Sequence, residues 1–252
     1  MKRIYLAALL GALLLAPAVQ ARSFADIRAS GTLRLATSAD FEPFNYMKGD
    51  QFAGFEVDLG NLLAKQLGLK AVWVKDNFDS LLDDFSSKNY DVVIASHAIT
   101  STRAQIVDFT QPHYCTGGVA LAQPGGPLTS KAMANKVLGA ESGSTYMGYI
   151  KKLPFDKQLK VYANSGEAIQ AVATGNVSAV VTDKFAALQA LKTYNKAKLV
   201  MGDLLWRESI GMAVEKNNTD LRQALNAALG KLLKDGQYNK LSQSYFGQDV
   251  RC

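Results

Sequence analysis

The sequence is poor in the residues that most often bind metal ions, with two cysteines and two histidines in 252 residues. Cys115 and Cys252 are far apart in the chain. His97 and His113 also lack the close spacing of a zinc site. We therefore expect neither a metal centre nor a cofactor.

Beyond its first residues, the chain lacks any apolar run of the roughly 18 residues that a membrane-spanning helix needs. At the N-terminus two basic residues precede the apolar run 4–15, and Pro17 interrupts that run before small residues at 19–21. This pattern is typical of a secretory signal peptide over residues 1–21. Residue 22 is arginine and not cysteine, so we expect no lipid anchor and a soluble, exported product.

Basic runs interleaved with aromatic residues are also missing. The formal net charge is +6, but the basic residues are scattered along the chain. We therefore expect no binding of nucleic acid. In an oxidising compartment the two cysteines, Cys115 and Cys252, can form one disulfide, and the alternative is a pair of free thiols.

What the chain does contain is an alternation of short β-rich runs and helical patterns. The first series predicts strands at 32–37, 71–74 and 91–95 and helices at 55–67 and around 81–85. The second predicts strands at 136–139, 159–162 and 177–181 and helices at 146–151, 165–173 and 184–192. A long strand at 114–122 precedes the second series, and a strand at 209–214 and helices at 220–233 and 238–245 follow it. This alternation predicts an α/β fold with parallel sheets covered by helices on both faces.

The two series, each of about 90 residues, indicate two lobes. The closing helices have no strands of their own to cover, so we expect them to return to the first lobe. The chain then crosses between the lobes twice, near 115–121 and 202–208, and the two crossing strands form a hinge over a cleft. We expect lobe 1 to comprise 22–116 and 206–252, and lobe 2 to comprise 117–205.

The segment 95–103 (ASHAITSTR) joins the end of a predicted strand to a short amphipathic segment with Arg103 in its first turn. Strand ends that open into helix starts form the ligand crevice of an open α/β sheet. Free amides there attract anions, and an arginine beside them can bind a carboxylate with two parallel hydrogen bonds. The alternative is an exposed arginine near a helix N-terminus.

Further motifs extend over nearly all of the chain after residue 21. They are GTLRLAT at 31–37, DFEPF at 40–44, GFEVDL at 54–59, NYDVV at 89–93, IT at 99–100 with Arg103, VDF at 107–109, GST at 143–145, AVVTD at 179–183, DGQY at 235–238 and YFG at 245–247. In this order they resemble the polar amino-acid-binding proteins of ABC importers, solute-binding protein family 3. The resemblance implies the two-lobed type II fold of periplasmic binding proteins.

The resemblance also implies ligand-binding roles at the matching positions. Arg103 would bind the α-carboxylate of an amino acid, together with the helix start at Ser144 and Thr145. Asp183 would accept hydrogen bonds from the α-ammonium. Ser96 and the backbone of Ala98 would add polar contacts, and Phe41 and Phe78 would flank the side chain. From the residues alone, Asp183 is equally an N-cap, the GST segment a turn and cap, and the two phenylalanines ordinary core.

Four positions bear on the choice of ligand side chain. Ala98 stands where the family often has a hydroxyl residue. Ser38 stands where relatives that prefer cationic side chains have an acid, which weakens a lysine or arginine assignment. Glu141 precedes the GST turn and reopens the cationic option if it faces the cleft. His97 either points inward or has a neutral packing role.

The function implied by this resemblance is capture of a polar L-amino acid in the cleft and its delivery to an ABC transporter permease in the inner membrane. We expect a monomer in the periplasm. The alternative is an enzyme, since some relatives of this fold are dehydratases, which need an acid of raised pKa such as Asp183 or Glu141. A third interpretation, the sensing module of a larger receptor, needs a span or enzymatic segment that the sequence does not show.

Overall fold

The computed structural model describes residues 22–88 and 90–252. The predicted signal peptide at 1–21 lies outside these residues. Within them, no helix combines the length and the apolar character that a bilayer crossing requires.

Helices and strands alternate over most of the described chain, and their bounds follow. The helices are α1 (Phe24–Ser30), α2 (Phe55–Gln66), α3 (Phe85–Lys88), α4 (Thr145–Lys152), α5 (Ser165–Ala173), α6 (Lys184–Thr193), α7 (Thr219–Lys234) and α8 (Gln237–Phe246). The strands are β1 (Thr32–Thr37), β2 (Asp40–Phe41), β3 (Asn45–Lys48), β4 (Gln51–Ala53), β5 (Lys70–Lys75), β6 (Val92–Val93), β7 (Val107–Phe109), β8 (Tyr114–Ala122), β9 (Val137–Glu141), β10 (Gln158–Tyr162), β11 (Ala179–Asp183), β12 (Val200–Ile210) and β13 (Ala213–Glu215). Short 3₁₀ turns cover Arg103–Gln105, Lys131–Met133 and Asn195–Ala197.

Two five-stranded sheets organise the molecule. The first has the order β5-β1-β6-β13-β7 and the second the order β10-β9-β11-β8-β12. We call the elements around these sheets the first lobe and the second lobe. The small antiparallel sheet β2-β3-β4, which the sequence does not predict, belongs to the first lobe.

The strands of the two alternating series pair in parallel, as the sequence predicts, but each sheet also contains antiparallel strands. β1 pairs in parallel with β5 and β6, and β9 pairs in parallel with β10 and β11. β13, β8 and β12 are antiparallel to their neighbours. The reason is that these strands are not joined to their neighbours by helical crossovers, which parallel pairing requires.

β8 and β12 are the two long strands that connect the lobes. They pair antiparallel, from Tyr114 opposite Ile210 to Ala122 opposite Val200. The predicted single strand at 209–214 is in fact split between the end of β12 and the start of β13. Gly211 lies in the gap, where an added Cβ would be 2.9 Å from a methyl carbon of Ile99, so the close packing of the first lobe depends on glycine here.

The closing helices α7 and α8 both pack on α2. An aromatic cluster joins the lobes beside the connecting strands. Phe44 stacks on Tyr114 with ring centroids 4.8 Å apart, and it meets the edge of Phe185 from α6 of the second lobe at 6.3 Å. Phe246 of α8 contacts Phe185 at 4.7 Å. The apolar core is therefore continuous between the lobes on this side.

The C-terminus is fastened to the start of β8. Cys115 and Cys252 form a disulfide, which confirms the pairing expected from the sequence. The Cys115 amide also donates to the carbonyl of Val250 at 2.8 Å. The tail is thus attached to a strand that runs from one lobe to the other.

Candidate ligand-binding site

Arg103 connects the two lobes at the cleft. Its Nη1 donates to the carbonyl of Ala98 at 3.0 Å, and its Nη2 donates to the carbonyl of Gly143 in the second lobe at 3.1 Å. The short segment predicted after residue 95, with Arg103 in its first turn, is a single 3₁₀ turn, and β7 begins shortly after it at Val107. The guanidinium has five N–H groups, so further donors remain for a ligand carboxylate.

The GST segment begins α4, as the sequence suggested. Ser144 is the N-cap: its Oγ accepts from the Met147 amide at 3.0 Å and donates to the carbonyl of Glu141 at 2.7 Å. Thr145 is the first helical residue and is only half-buried. The cap therefore uses the Ser144 hydroxyl, while Thr145 and the free amides of the first turn stay available to an anion.

Asp183 is an N-cap and is fully buried at the same time. Its Oδ1 accepts from the amides of Phe185 and Ala186 at 2.6 and 3.1 Å, and its Oδ2 accepts from the Thr116 hydroxyl. Burial raises the pKa of Asp183 to about 7, against the opposing effect of these three donors. The carboxylate is therefore only partly ionised near neutral pH in the absence of a cation.

Two further acids, Glu208 and Glu141, belong to the same region. Burial lowers the pKa of Arg103, and both of these carboxylates, together with Tyr146, counteract that shift. Burial raises the pKa of Tyr146 well above its usual value, and Asp183, Glu208 and Glu141 raise it further. Tyr146 thus interacts with every one of these charged groups and marks the middle of the candidate site.

Ser96 and Ser38 are held in place by one buried carboxylate, Glu56. Its oxygens accept from the Ser96 amide at 2.9 Å and from the Ser96 hydroxyl at 2.8 Å. They also accept from Asn45 Nδ2 at 2.8 Å and pair with His113 Nε2 at 2.8 Å. Asn45 in turn accepts from the Ser38 hydroxyl at 3.0 Å. Both serine hydroxyls donate into this network, so they can offer only acceptor lone pairs to a ligand.

Phe78 and His97 form a stacked pair. Their ring centroids are 4.3 Å apart at an interplanar angle of 7°, and the Arg103 guanidinium carbon lies 5.7 Å from the centre of the Phe78 ring. Burial, and to a lesser extent Arg103, lowers the pKa of His97 well below its usual value. His97 is therefore neutral and serves to support Phe78. Phe41 stacks on Phe44 at 5.2 Å instead.

Two grooves open between the lobes. The larger, of about 890 Å³, is lined by Arg103 and by the other residues implied in carboxylate binding, Ala98, Ser144 and Thr145, with Glu208 beside them. The smaller, of about 340 Å³, is lined by Phe41 and Asp40. Both volumes are within the range that suits a small-molecule ligand. Ser38, Phe78, Ser96, His97, Glu141 and Asp183 line neither groove.

Sequence reasoning missed Glu56, Tyr146 and Glu208. Glu56 lies in the motif GFEVDL, where its position in the apolar stripe of a helix was a signal of a buried, partnered acid. Tyr146 follows the GST turn directly. The sequence around Glu208 did not indicate a site residue. Its place in the site depends on the pairing of β12 with β8, and these strands are distant in the sequence.

Comparison with known proteins agrees with this geometry. The model of the family "Bacterial extracellular solute-binding proteins, family 3" matches residues 33–248. The L-cystine-binding protein TcyJ of Escherichia coli (strain K12) is 31% identical over 249 residues, covering 95% of this chain and 94% of the relative. The lysine/arginine/ornithine-binding periplasmic protein of the same strain is 31% identical over 232 residues, covering 87% and 89%.

A solved structure of an ancestral arginine-binding protein bound to arginine has a TM-score of 0.82 and 34% identity, covering 86% of this chain and 99% of that chain. This likeness confirms the two-lobed type II fold. The family and these relatives are binding proteins and not enzymes. The chain belongs to family 3 of the bacterial extracellular solute-binding proteins.

Proposed function

We propose that this protein captures a polar L-amino acid between its lobes and delivers it to the permease of an ABC transporter. The observation that carries the proposal is the distribution of charge in the cleft. Arg103 and the first turn of α4 suit a carboxylate, and Asp183 suits an ammonium group. A zwitterion that leaves water needs both partners, because an unpaired buried charge costs several kcal/mol. The named relatives bind cystine and basic amino acids.

The proposal includes a location and a division into lobes. Residues 1–21 act as a signal peptide, and the remaining chain is a periplasmic monomer that meets a permease in the inner membrane. Residues 22–116 with 206–252 form the first rigid body, and 117–205 form the second. The strands between them are the hinge. The antiparallel pairing of β8 with β12, which has two irregularities between Met201 and Trp206, supports this division, because a two-stranded connection can bend without separating the lobes.

A thermal-shift screen tests the proposal. The purified protein is heated with each of the twenty amino acids and with ornithine, citrulline and cystine, and isothermal titration then measures the affinity of any ligand that stabilises it. A ligand at a hundred times its dissociation constant adds roughly 2.7 kcal/mol to the free energy of unfolding. A failure of all of them to raise the melting temperature would contradict the proposal.

A further inference from the structure

The cleft has more buried acids than the proposed function, in its simplest form, requires. An α-amino acid with a neutral side chain supplies one ammonium group and one carboxylate. Arg103 and Asp183 are sufficient for these two charges. Glu208 and Glu141 are then left over, and they are 9% and 5% exposed. Burying two additional carboxylates without a partner cation lowers the free energy of unfolding.

Glu208 lies next to Asp183. It is directly opposite Thr116 in the pairing of β12 with β8, and residues that are opposite in an antiparallel pair point to the same face. The Thr116 hydroxyl on that face donates to Asp183. Glu208 Oε2 is buried and has no hydrogen-bond partner among the described residues. Its other neighbours include Arg103 and Tyr146, and it lines the larger groove. Glu208 is therefore a hydrogen-bond acceptor without a partner in the described residues, on the face of β12 that borders the larger groove.

Glu141 has a different set of neighbours. It ends β9, receives a hydrogen bond from the Ser165 amide, and faces the acids Asp40 and Asp79 of the first lobe. Burial raises its pKa well above the usual value, Asp40 adds to the rise, and Arg103 opposes it. Asp40 Oδ1 is also buried without a hydrogen-bond partner in the described part of the chain. Lys75 lies near Asp40, and both line the smaller groove.

The acids therefore form two groups. Asp183 and Glu208 interact with each other, and Glu141 and Asp40 interact with each other. Tyr146 and Arg103 contact both groups electrostatically through Glu208 and Glu141. Two groups of paired acids are suited to two cations. A ligand with a single ammonium group would satisfy the first group and bring no cation to the second, whose nearby cations are Lys75 and Arg103.

We propose that the ligand is a basic α-amino acid, with Glu208 sharing its α-ammonium with Asp183 and Glu141, aided by Asp40, binding a cation on its side chain. This inference rests on the proposed function and names the ligand class. It does not require an acid at position 38, because Glu141 and Asp40 supply the carboxylates for the second cation and the Ser38 hydroxyl donates to Asn45. The serine at position 38, which by itself argues against a lysine or arginine ligand, is therefore compatible with this inference.

Isothermal titration of the purified protein with L-arginine and L-citrulline is the test, because the two ligands have nearly the same shape and differ in side-chain charge. We expect arginine to bind at least about a hundredfold more tightly, in keeping with a desolvated charge pair. Glu141→Gln should reduce this ratio to about tenfold or less, by weakening arginine and not citrulline. Glu208→Gln should weaken both ligands by a similar factor.

Asp203→Asn is the matched control, since Asp203 is an exposed acid on the same strand as Glu208 and should leave both affinities unchanged. Thermal melts confirm that each variant is folded. If the protein binds citrulline, glutamine or cystine as tightly as arginine, or if Glu141→Gln leaves the ratio unchanged, this inference is wrong while the proposed function stands. If no amino acid binds, both fail together.

Discussion

At the scale of single residues, Asp183 combines two roles that conflict. As the N-cap of α6 it accepts backbone amides, which favour the ionised form, but complete burial disfavours that form and raises its pKa to about 7. An unfolded aspartate has a pKa of about 3.9. The folded state thus binds the proton more tightly, and the stability of the ligand-free protein should fall as the pH rises from about 4 to 7. A bound ammonium group would reverse this loss.

Binding should therefore weaken in acid. Below pH 7 the ligand must displace the proton from Asp183, so we expect affinity to fall by up to about tenfold for each pH unit between 7 and 5.5. Titration in buffers of different ionisation enthalpy should detect proton release. Asn caps helices as well as Asp, so Asp183→Asn should keep the fold, raise the melting temperature at pH 8, and bind weakly at every pH. A constant affinity from pH 8 to 5.5 would contradict this.

Arg103 is the residue on which carboxylate recognition depends. Arg103→Ala should abolish measurable binding, because removing one partner of a desolvated charge pair costs about 2–5 kcal/mol. Arg103→Lys keeps the positive charge but cannot form a bidentate pair of hydrogen bonds with the ligand carboxylate, so it should retain part of the affinity. Isothermal titration of both variants decides this. Affinity of the alanine variant within about threefold of the wild type, a difference well under 1.4 kcal/mol, would exclude the role.

At the scale of elements, the sequence predicted most helices and the strands of the parallel pairs, because each has its own periodic apolar pattern. The strand at 114–122 was predicted with the bounds that β8 has. The split between β12 and β13 was not predicted, since it depends on the packing of Ile99 and Phe109 against Gly211. The segment at Arg103 is no longer than one 3₁₀ turn because β7 begins at Val107. Residue types can indicate a strand, but strand partners are set by the whole fold.

The same distinction applies to the site. Arg103, the GST turn and Asp183 each lie at the end of a strand or the start of a turn, and such positions can be recognised locally. Glu208 lies inside β12, two residues before its end, and only its pairing with Thr116 brings it to Asp183. The Glu56 network joins α2, β3, the segment after β6 and the residue before β8, four parts of the chain that no local pattern relates.

This network leads to a prediction about α2. Glu56 and His113 are both fully buried as a pair, and Ser96, with a φ of 58°, depends on the same carboxylate. Glu56→Ala leaves several buried donors unpaired and should cost about 3–5 kcal/mol of unfolding free energy. Glu56→Gln keeps part of the hydrogen bonding and should cost less. Urea denaturation measures both values. Equal stability of the alanine variant and the wild type would show that the network is not structural.

At the scale of the whole molecule, the two lobes are in contact across the cleft. Arg103 reaches the carbonyl of Gly143, and Ser142 donates to Asp79 at 3.1 Å. On another part of the cleft, Gln189 of α6 donates to Glu42 at 3.0 Å. These contacts are few and polar, and several of them involve exposed side chains. They are individually weak, so a ligand that pairs charges from both lobes can decide between open and closed forms.

Gly143 gives a direct test of closure. It has a φ of 68°, and an added Cβ would lie 2.8 Å from the Cβ of Asp79, so Gly143→Ala should hold the lobes apart. Left-handed backbone at alanine adds roughly 1–2 kcal/mol of strain. Small-angle scattering should show a smaller radius of gyration when the wild type is saturated with ligand and a larger one for ligand-free Gly143→Ala. The exposed Gly125→Ala, which has a φ of 82° like that of Gly143 but whose added Cβ meets nothing, is the control. If ligand leaves the radius unchanged in the wild type and Gly143→Ala binds normally, then binding does not require the lobes to close.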